Sequence, residues 1–273
     1  MDSNRRRFMI QSAGAAVVPM AAGGMIPPAE AAPAWEPGFD IVALGGLDPF
    51  RVLSVGGHRN TPLRPSAGGT ECWADMGAGF AFAASMASLA ECWQRGAGCI
   101  ALEATASLAS HADACMNLAS ALGGAPVWRA GVHVHTTAGW TSFGWNSREL
   151  GDPLQHGMAH LRRLHTIAQQ PGVDRVAVVL AGFDWHGYES IQDARLRSLD
   201  RLIRMAHRVT LETGWNGDVV VHTELGRNTA ANAAGGSDHG PYRLRMRIGR
   251  QRGTTDFVAS AERLAEQFEL ACR

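Results

Sequence analysis

The chain has 273 residues, 25 basic and 25 acidic side chains, a formal net charge of zero and 46% hydrophobic residues. That length holds one large domain or two small ones with a full core. Without a basic stripe or an acidic tail, nucleic-acid binding by a charged surface is excluded; since every basic side chain is arginine, Schiff-base and P-loop lysine chemistry are excluded too.

The N-terminal segment Asn4-Arg5-Arg6-Arg7-Phe8-Met9-Ile10 has a twin-arginine pattern. A weakly apolar stretch, Ala13–Met25, follows, and then the small-residue site Ala29-Glu30-Ala31. Residues 1–31 therefore read as a twin-arginine signal peptide and 32–273 as a single α/β domain. The expected partner is the twin-arginine export machinery, and the expected location is periplasmic or secreted. The apolar stretch is too short and too glycine-rich for a stable membrane span. Five cysteines (Cys72, Cys92, Cys99, Cys115 and Cys272) form no C-x-x-C zinc pattern. An oxidising compartment allows one or two disulfides, with Cys92 and Cys99 the nearest pair, although most of the five read as buried and inert.

Along the chain, Phe39–Ala43 reads as a first strand leading to Gly45-Gly46-Leu47-Asp48. Gly56–Gly69 reads as loop. Ala81–Arg95 carries Met86, Leu89 and Trp93 at helical spacing, which predicts a helix. Cys99–Leu102 predicts a strand, and Ser110 an N-cap for a helix from His111 to about Leu122. In Val127–His135, Val132 and Val134 alternate with His133 and His135, as on a strand. Trp140–Trp145 reads as irregular and Leu154–Gln169 as helical, with His156 and His160 on one stripe. Val176–Leu180, the amphipathic segment Asp193–Thr213, the turn Asn216-Gly217 and Asp218–Thr223 compose a βαβ unit with parallel strands. A last helix is expected over Thr255–Ala271.

The reactive groups gather where those two strands end. The first runs into Gly182-Phe183-Asp184-Trp185-His186-Gly187 and the second into Thr223-Glu224-Leu225-Gly226-Arg227, with His222 just before and Gly236-Ser237-Asp238-His239-Gly240 shortly after. The carboxyl ends of parallel strands are where ligands collect, and Asp and His hold divalent metals and move protons. Asp184 and His186, two apart in an extended chain, point the same way. Arg227 has the fork geometry to clamp an anion, or serves a structural ion pair. His133, His135, His156, His160 and His165 read more simply as surface histidines. No G-x-S-x-G elbow, dinucleotide fingerprint or Walker pattern occurs.

These segments resemble the bacterial family called "domain of unknown function 1501". The resemblance rests on Gly182-Phe183-Asp184-Trp185-His186, on Val219-Val220-Val221-His222-Thr223-Glu224-Leu225-Gly226-Arg227, and on Gly236-Ser237-Asp238-His239-Gly240. Cys92-Trp93-Gln94-Arg95-Gly96 and Ser110-His111-Ala112-Asp113-Ala114 also fit, so the similarity covers roughly 80–240. Members are often twin-arginine exported. The resemblance implies an alkaline-phosphatase- and sulfatase-like fold: a mostly parallel central sheet flanked by helices, with a metal-supported anion site. Asp184, His186, Asp238 and His239 would hold a divalent metal ion. Glu224, Arg227 and His111 are the catalytic candidates, and a small anionic phosphate or sulfate ester is the substrate class. The chain departs from the pattern at Trp185 and Leu225, and Pro49-Phe50 stands where a nucleophilic Ser or Thr would follow Asp48. It therefore resembles a shortened or diverged member. The competing expectation is an exported, non-catalytic binding or assembly protein that keeps the fold without the nucleophile.

Overall fold

Strand β1 (Gly38–Ala43) is buried along its whole length, because a strand with parallel neighbours on both edges and helices over both faces meets no solvent. The computed structural model describes residues 38–55, 73–75, 80–95, 98–104, 110–143, 162–184, 186, 191–215, 218–230 and 232–249. The expected signal segment 1–31, the stretch 56–69, Trp185, His156, His160, the expected turn at 216–217 and the expected last helix at 255–271 lie outside the described residues.

After β1 come α1 (Pro49–Val52), β2 (Leu53–Val55), β3 (Trp73–Asp75), β4 (Phe80–Ala83), a short 3-10 turn (Ala84–Met86), α2 (Ala87–Gln94) and β5 (Gly98–Ala104). Then follow α3 (His111–Ala121), β6 (Gly131–Thr136), β7 (Gly139–Phe143), a helix α4 over 162–168, and β8 (Val173–Leu180). The described chain closes with α5 (Ile191–Thr213), β9 (Val219–Thr223), β10 (Gly226–Arg227), β11 (His239–Gly240) and β12 (Tyr242–Ile248).

The architecture is α/β, but the sheet is mixed. β1 pairs in parallel with β8 and β9, so Ile41 stands between Val178 and Val221. The other ladders of this sheet are antiparallel: β6 with β8 and β7, β12 with β9, β5 and β10, and β10 with β11. The expectation of a mostly parallel sheet is thus corrected, and β12 is the main reason. Tyr242–Ile248 alternates arginine with Leu244, Met246 and Ile248, and those three are buried. That period of two makes a strand with one face in the core, and it inserts between β9 and β5. Two antiparallel steps leave β5 pointing the same way as β9, β1 and β8, so its exit reaches the same end of the sheet.

Two other segments differ from expectation. Phe80–Ala83 is a strand, not the first turn of a helix; Phe82 is buried in a small antiparallel sheet between β2 and β3. Gly139–Phe143 pairs with β6 and is a strand, not irregular chain.

α5 covers one face. Leu196, Leu199, Ile203, Ala206 and Val209 are fully buried and share one cluster with Phe39, Ile41, Val176, Val178, Val219 and Val221. Burying each large apolar side chain contributes roughly 1.5–3 kcal/mol. Asp200 on α5 accepts from the Ser88 and Leu89 amides at 2.9 and 2.8 Å, joining the start of α2 to this face. On the opposite face, Leu118, Ala119 and Leu122 of the α3 segment pack on Val42 and Val179. The Ser110 hydroxyl oxygen caps α3 by accepting from the Asp113 amide at 3.1 Å. Cys92 and Cys115 are free, half-buried thiols packed against the core, and burial pushes both up from the ordinary value, which suits inert cysteines. No helix among the described residues is long and apolar enough to cross a membrane.

Candidate metal centre

The ends of β1, β8 and β9 are drawn together by backbone and by one buried guanidinium. Beyond β1 and β8 the chains stay joined: Leu44 N–H donates to Leu180 O at 2.8 Å and Phe183 N–H to Leu44 O at 3.0 Å. Gly45 has φ +110, and a Cβ there would stand 2.1 Å from the Asp184 amide nitrogen, so only glycine lets the two exits touch. Arg227, fully buried, donates Nε to Gly46 O and Nη1 to Ser237 O, both at 2.8 Å, and Nη2 to Phe183 O at 3.1 Å and to Gly45 O. Nη2 also reaches Asp184 Oδ1 at 2.9 Å. Of the two expected roles, anion clamp or structural ion pair, the contacts are those of the second: Arg227 spends its fork on carbonyls and the Asp184 carboxylate, tying four segments into one platform.

On that platform three imidazoles converge on Asp184. His186 Nε2 lies 3.0 Å and His239 Nε2 3.3 Å from Oδ1, and His111 Nε2 lies 3.6 Å from Oδ2. The His239 ring packs 4.7 Å from both the His111 and the His186 rings. His111 arrives from the start of α3, because β5 exits toward this end. Two of the rings have a second carboxylate behind them. His111 Nδ1 is 3.2 Å from Glu224 Oε1, and His186 Nδ1 is 3.4 Å from Asp238 Oδ1. Asn232 steadies the second, donating Nδ2 to Asp238 Oδ1 at 3.0 Å and to the His186 carbonyl at 2.7 Å. Glu224 Oε1 also accepts from the Gly45 amide at 2.5 Å, and its buried Oε2 has no hydrogen-bond partner.

The electrostatics favour a cation. Burial pushes the Asp184 carboxyl up, but hydrogen bonds from Arg227 and His239 and the nearby positive charges outweigh it and hold it below the usual carboxylate range. Hydrogen bonds from Asn232 and His186 likewise lower Asp238. Burial lowers His239, and the charges of Arg227 and His111 add to this against the opposing Asp184 bond, so its ring tends to the neutral form that carries a lone pair. One donor atom each from His111, Asp184 and His239 lies within 4.8 Å of the others. Two imidazole nitrogens and a carboxylate oxygen around an open face fit a divalent ion held by three protein ligands.

All the residues expected at the site, Arg227 included, meet here, but the group that could hold an ion is His111, Asp184 and His239, with the expected ligand His186 outside it. Asp238 sits behind His186 rather than in the metal group, and Glu224 is buried behind His111. Three features escaped the sequence reading: Asn232, the glycine contact at Gly45, and a buried bond in which Ser237 Oγ donates to Asp48 Oδ2 at 2.9 Å. His222 is elsewhere. It faces the α3 side of the sheet, where Nε2 is 2.9 Å from Oδ1 of the fully buried Asp40, which Arg175 also pairs. His133 and His135 are occupied by Ser142 and Asp174, 2.9 and 2.7 Å away, and His165 lies 3.8 Å from Glu212.

Comparison of the chain with protein-family models, with curated proteins and with solved structures finds no match.

Proposed function

We propose that this chain is an exported, metal-dependent hydrolase of phosphate or sulfate esters, a diverged relative of the "domain of unknown function 1501" family on an alkaline-phosphatase-like variant of the α/β fold. The observation that carries the reading is the convergence of three imidazole nitrogens on the Asp184 carboxylate at an open strand end. Asp184, His111 and His239 would hold the ion, with His186 beside them. Such an ion lowers the pKa of a coordinated water and stabilises charge on a phosphoryl or sulfuryl oxygen. Glu224 fixes the His111 ring and Asp238 the His186 ring. Pro49-Phe50 stands where a nucleophilic Ser or Thr would follow Asp48, so water is the attacking group in this scheme. His186, exposed at the rim, is placed to move the proton of the leaving group.

The missing nucleophile after Asp48 also favours a second reading, an exported binding or assembly protein that holds a ligand without turnover. Elemental analysis of the mature protein, with a panel of phosphate and sulfate esters, separates the two. The hydrolase carries a stoichiometric divalent ion that Asp184→Ala and His239→Ala lose, and its turnover depends on Asp184. Ion without turnover selects the binding protein. Carefully loaded protein without any ion ends the hydrolase reading.

A further inference from the structure

The face of the sheet under α3 contains a second cavity that shares no residue with the His–Asp cluster. It measures about 390 Å3, and its polar lining comes from Asn117 on α3, Arg175 on β8, His222 and Thr223 on β9, and Arg243 and Arg245 on β12. Leu122 contributes an apolar wall. A volume of this size suits a small metabolite.

Its charge is one-sided. Among the described lining residues none is acidic. Asp40 lies fully buried beneath the floor and is engaged by Arg175 and His222. Oδ1 of Asp40 accepts from Arg175 Nη2 at 2.9 Å and lies 2.9 Å from His222 Nε2, so the carboxylate orients both side chains from below. Arg243 and Arg245 are two apart on a strand and share a face. In register Arg243 stands opposite Glu103, and Arg245 opposite Ala101. An arginine carries five N–H donors, enough to keep a protein partner and hold an anion together. A buried acid in mid-sheet is costly unless paired, and here its pairing fixes the Arg175 guanidinium and the His222 ring at the floor of an accessible cavity.

We propose that this cavity binds a small anion through a carboxylate or phosphate headgroup held by Arg175, Arg243 and Arg245, with its carbon skeleton toward Leu122. The site is independent of the metal centre, although His222 and Thr223 on its wall lead directly into Glu224.

Titration calorimetry of the full chain at low ionic strength tests this, with inorganic phosphate and succinate as separate probes. At least one probe binds saturably, and which one binds names the headgroup. The double substitution Arg243→Gln with Arg245→Gln weakens that binding tenfold or more. Ala121→Trp, which fills the cavity from the exposed last turn of α3 and leaves every charge in place, abolishes it. Asp184→Ala leaves it unchanged. The proposal is overturned if neither probe binds saturably, if binding survives Ala121→Trp, or if Asp184→Ala removes it.

Discussion

His111 lies between two carboxylates, Nδ1 3.2 Å from Glu224 Oε1 and Nε2 3.6 Å from Asp184 Oδ2. A neutral imidazole has one N–H and one lone pair, so it can donate to only one of them. Glu224 is buried and already accepts the Gly45 amide on the same oxygen. A proton on Nδ1 satisfies that side and leaves the Nε2 lone pair directed at the Asp184 side, as a metal ligand requires.

Glu224→Gln tests this arrangement. The amide keeps the volume but lacks the charge that holds the Nδ1 proton. Divalent-ion affinity should fall about 10–100-fold, read by competition with a chromophoric chelator. Affinity equal to that of the unsubstituted protein would remove Glu224 from the metal centre.

Arg227 tests the platform instead of the ligands. Arg227→Met would strip donors from the carbonyls of Gly45, Gly46, Phe183 and Ser237 and leave Asp184 without its guanidinium. Leaving a buried acceptor without its donor costs about 1–3 kcal/mol, and several carbonyls are affected at once. Urea denaturation should show a loss of that order, and Arg227→Lys should recover little of it, because an ammonium cannot span these acceptors. Full stability in the lysine variant would return Arg227 to the role of anion clamp.

Much of this was legible in the sequence, for identifiable reasons. The runs at Val176–Leu180 and Val219–Val221 are apolar as buried or half-buried strand positions are, and the chemistry follows each closely. Ser110 announced α3 because an N-cap is a local interaction. Arg227 stays open between clamp and ion pair in the sequence because its pattern looks the same whether its fork meets a ligand or protein acceptors; only burial separates the two. β12 was visible in principle, since Tyr242-Arg243-Leu244-Arg245-Met246-Arg247-Ile248 alternates strictly, but an arginine run draws attention to charge before periodicity. His222 and Glu224 are two apart, which on a continuous strand would put them on one face. β9 ends at Thr223, however, so Glu224 turns toward His111 while His222 stays against Asp40.

His133 gives a pH dependence. It is buried on β6, with Nε2 2.8 Å from the Arg129 carbonyl and Nδ1 2.9 Å from Ser142 Oγ. Nε2–H donating to the carbonyl while Nδ1 accepts the hydroxyl is the pattern of a neutral ring. Burial lowers its pKa and the Arg129 charge adds to this, against the carbonyl bond. Its contribution to stability is therefore complete above the unfolded value of about 6.5 and is lost as pH falls toward the folded value. Stability should decline on acidification below pH 6.5, and His133→Gln should flatten that part of the profile. An unchanged slope in the variant would place the acid sensitivity elsewhere.

Gly45→Ala separates the scaffold from the donors most sharply, because it removes no ligand. The new Cβ would stand 2.1 Å from the Asp184 nitrogen and 2.5 Å from the Phe183 carbonyl carbon, both backbone atoms that no rotamer change can move aside. The φ of +110 adds strain of its own. The β1 exit must then part from the Asp184 segment, and the Gly45 amide loses its position against Glu224. The variant should be destabilised by about 3 kcal/mol. In the protein that still folds, ion affinity should fall although His111, Asp184 and His239 are all present. Circular dichroism melting reads the first effect and chelator competition the second. A variant that folds with normal affinity would mean that the metal centre does not depend on contact between the two strand exits, and that Asp184 is held by Arg227 and the imidazoles alone.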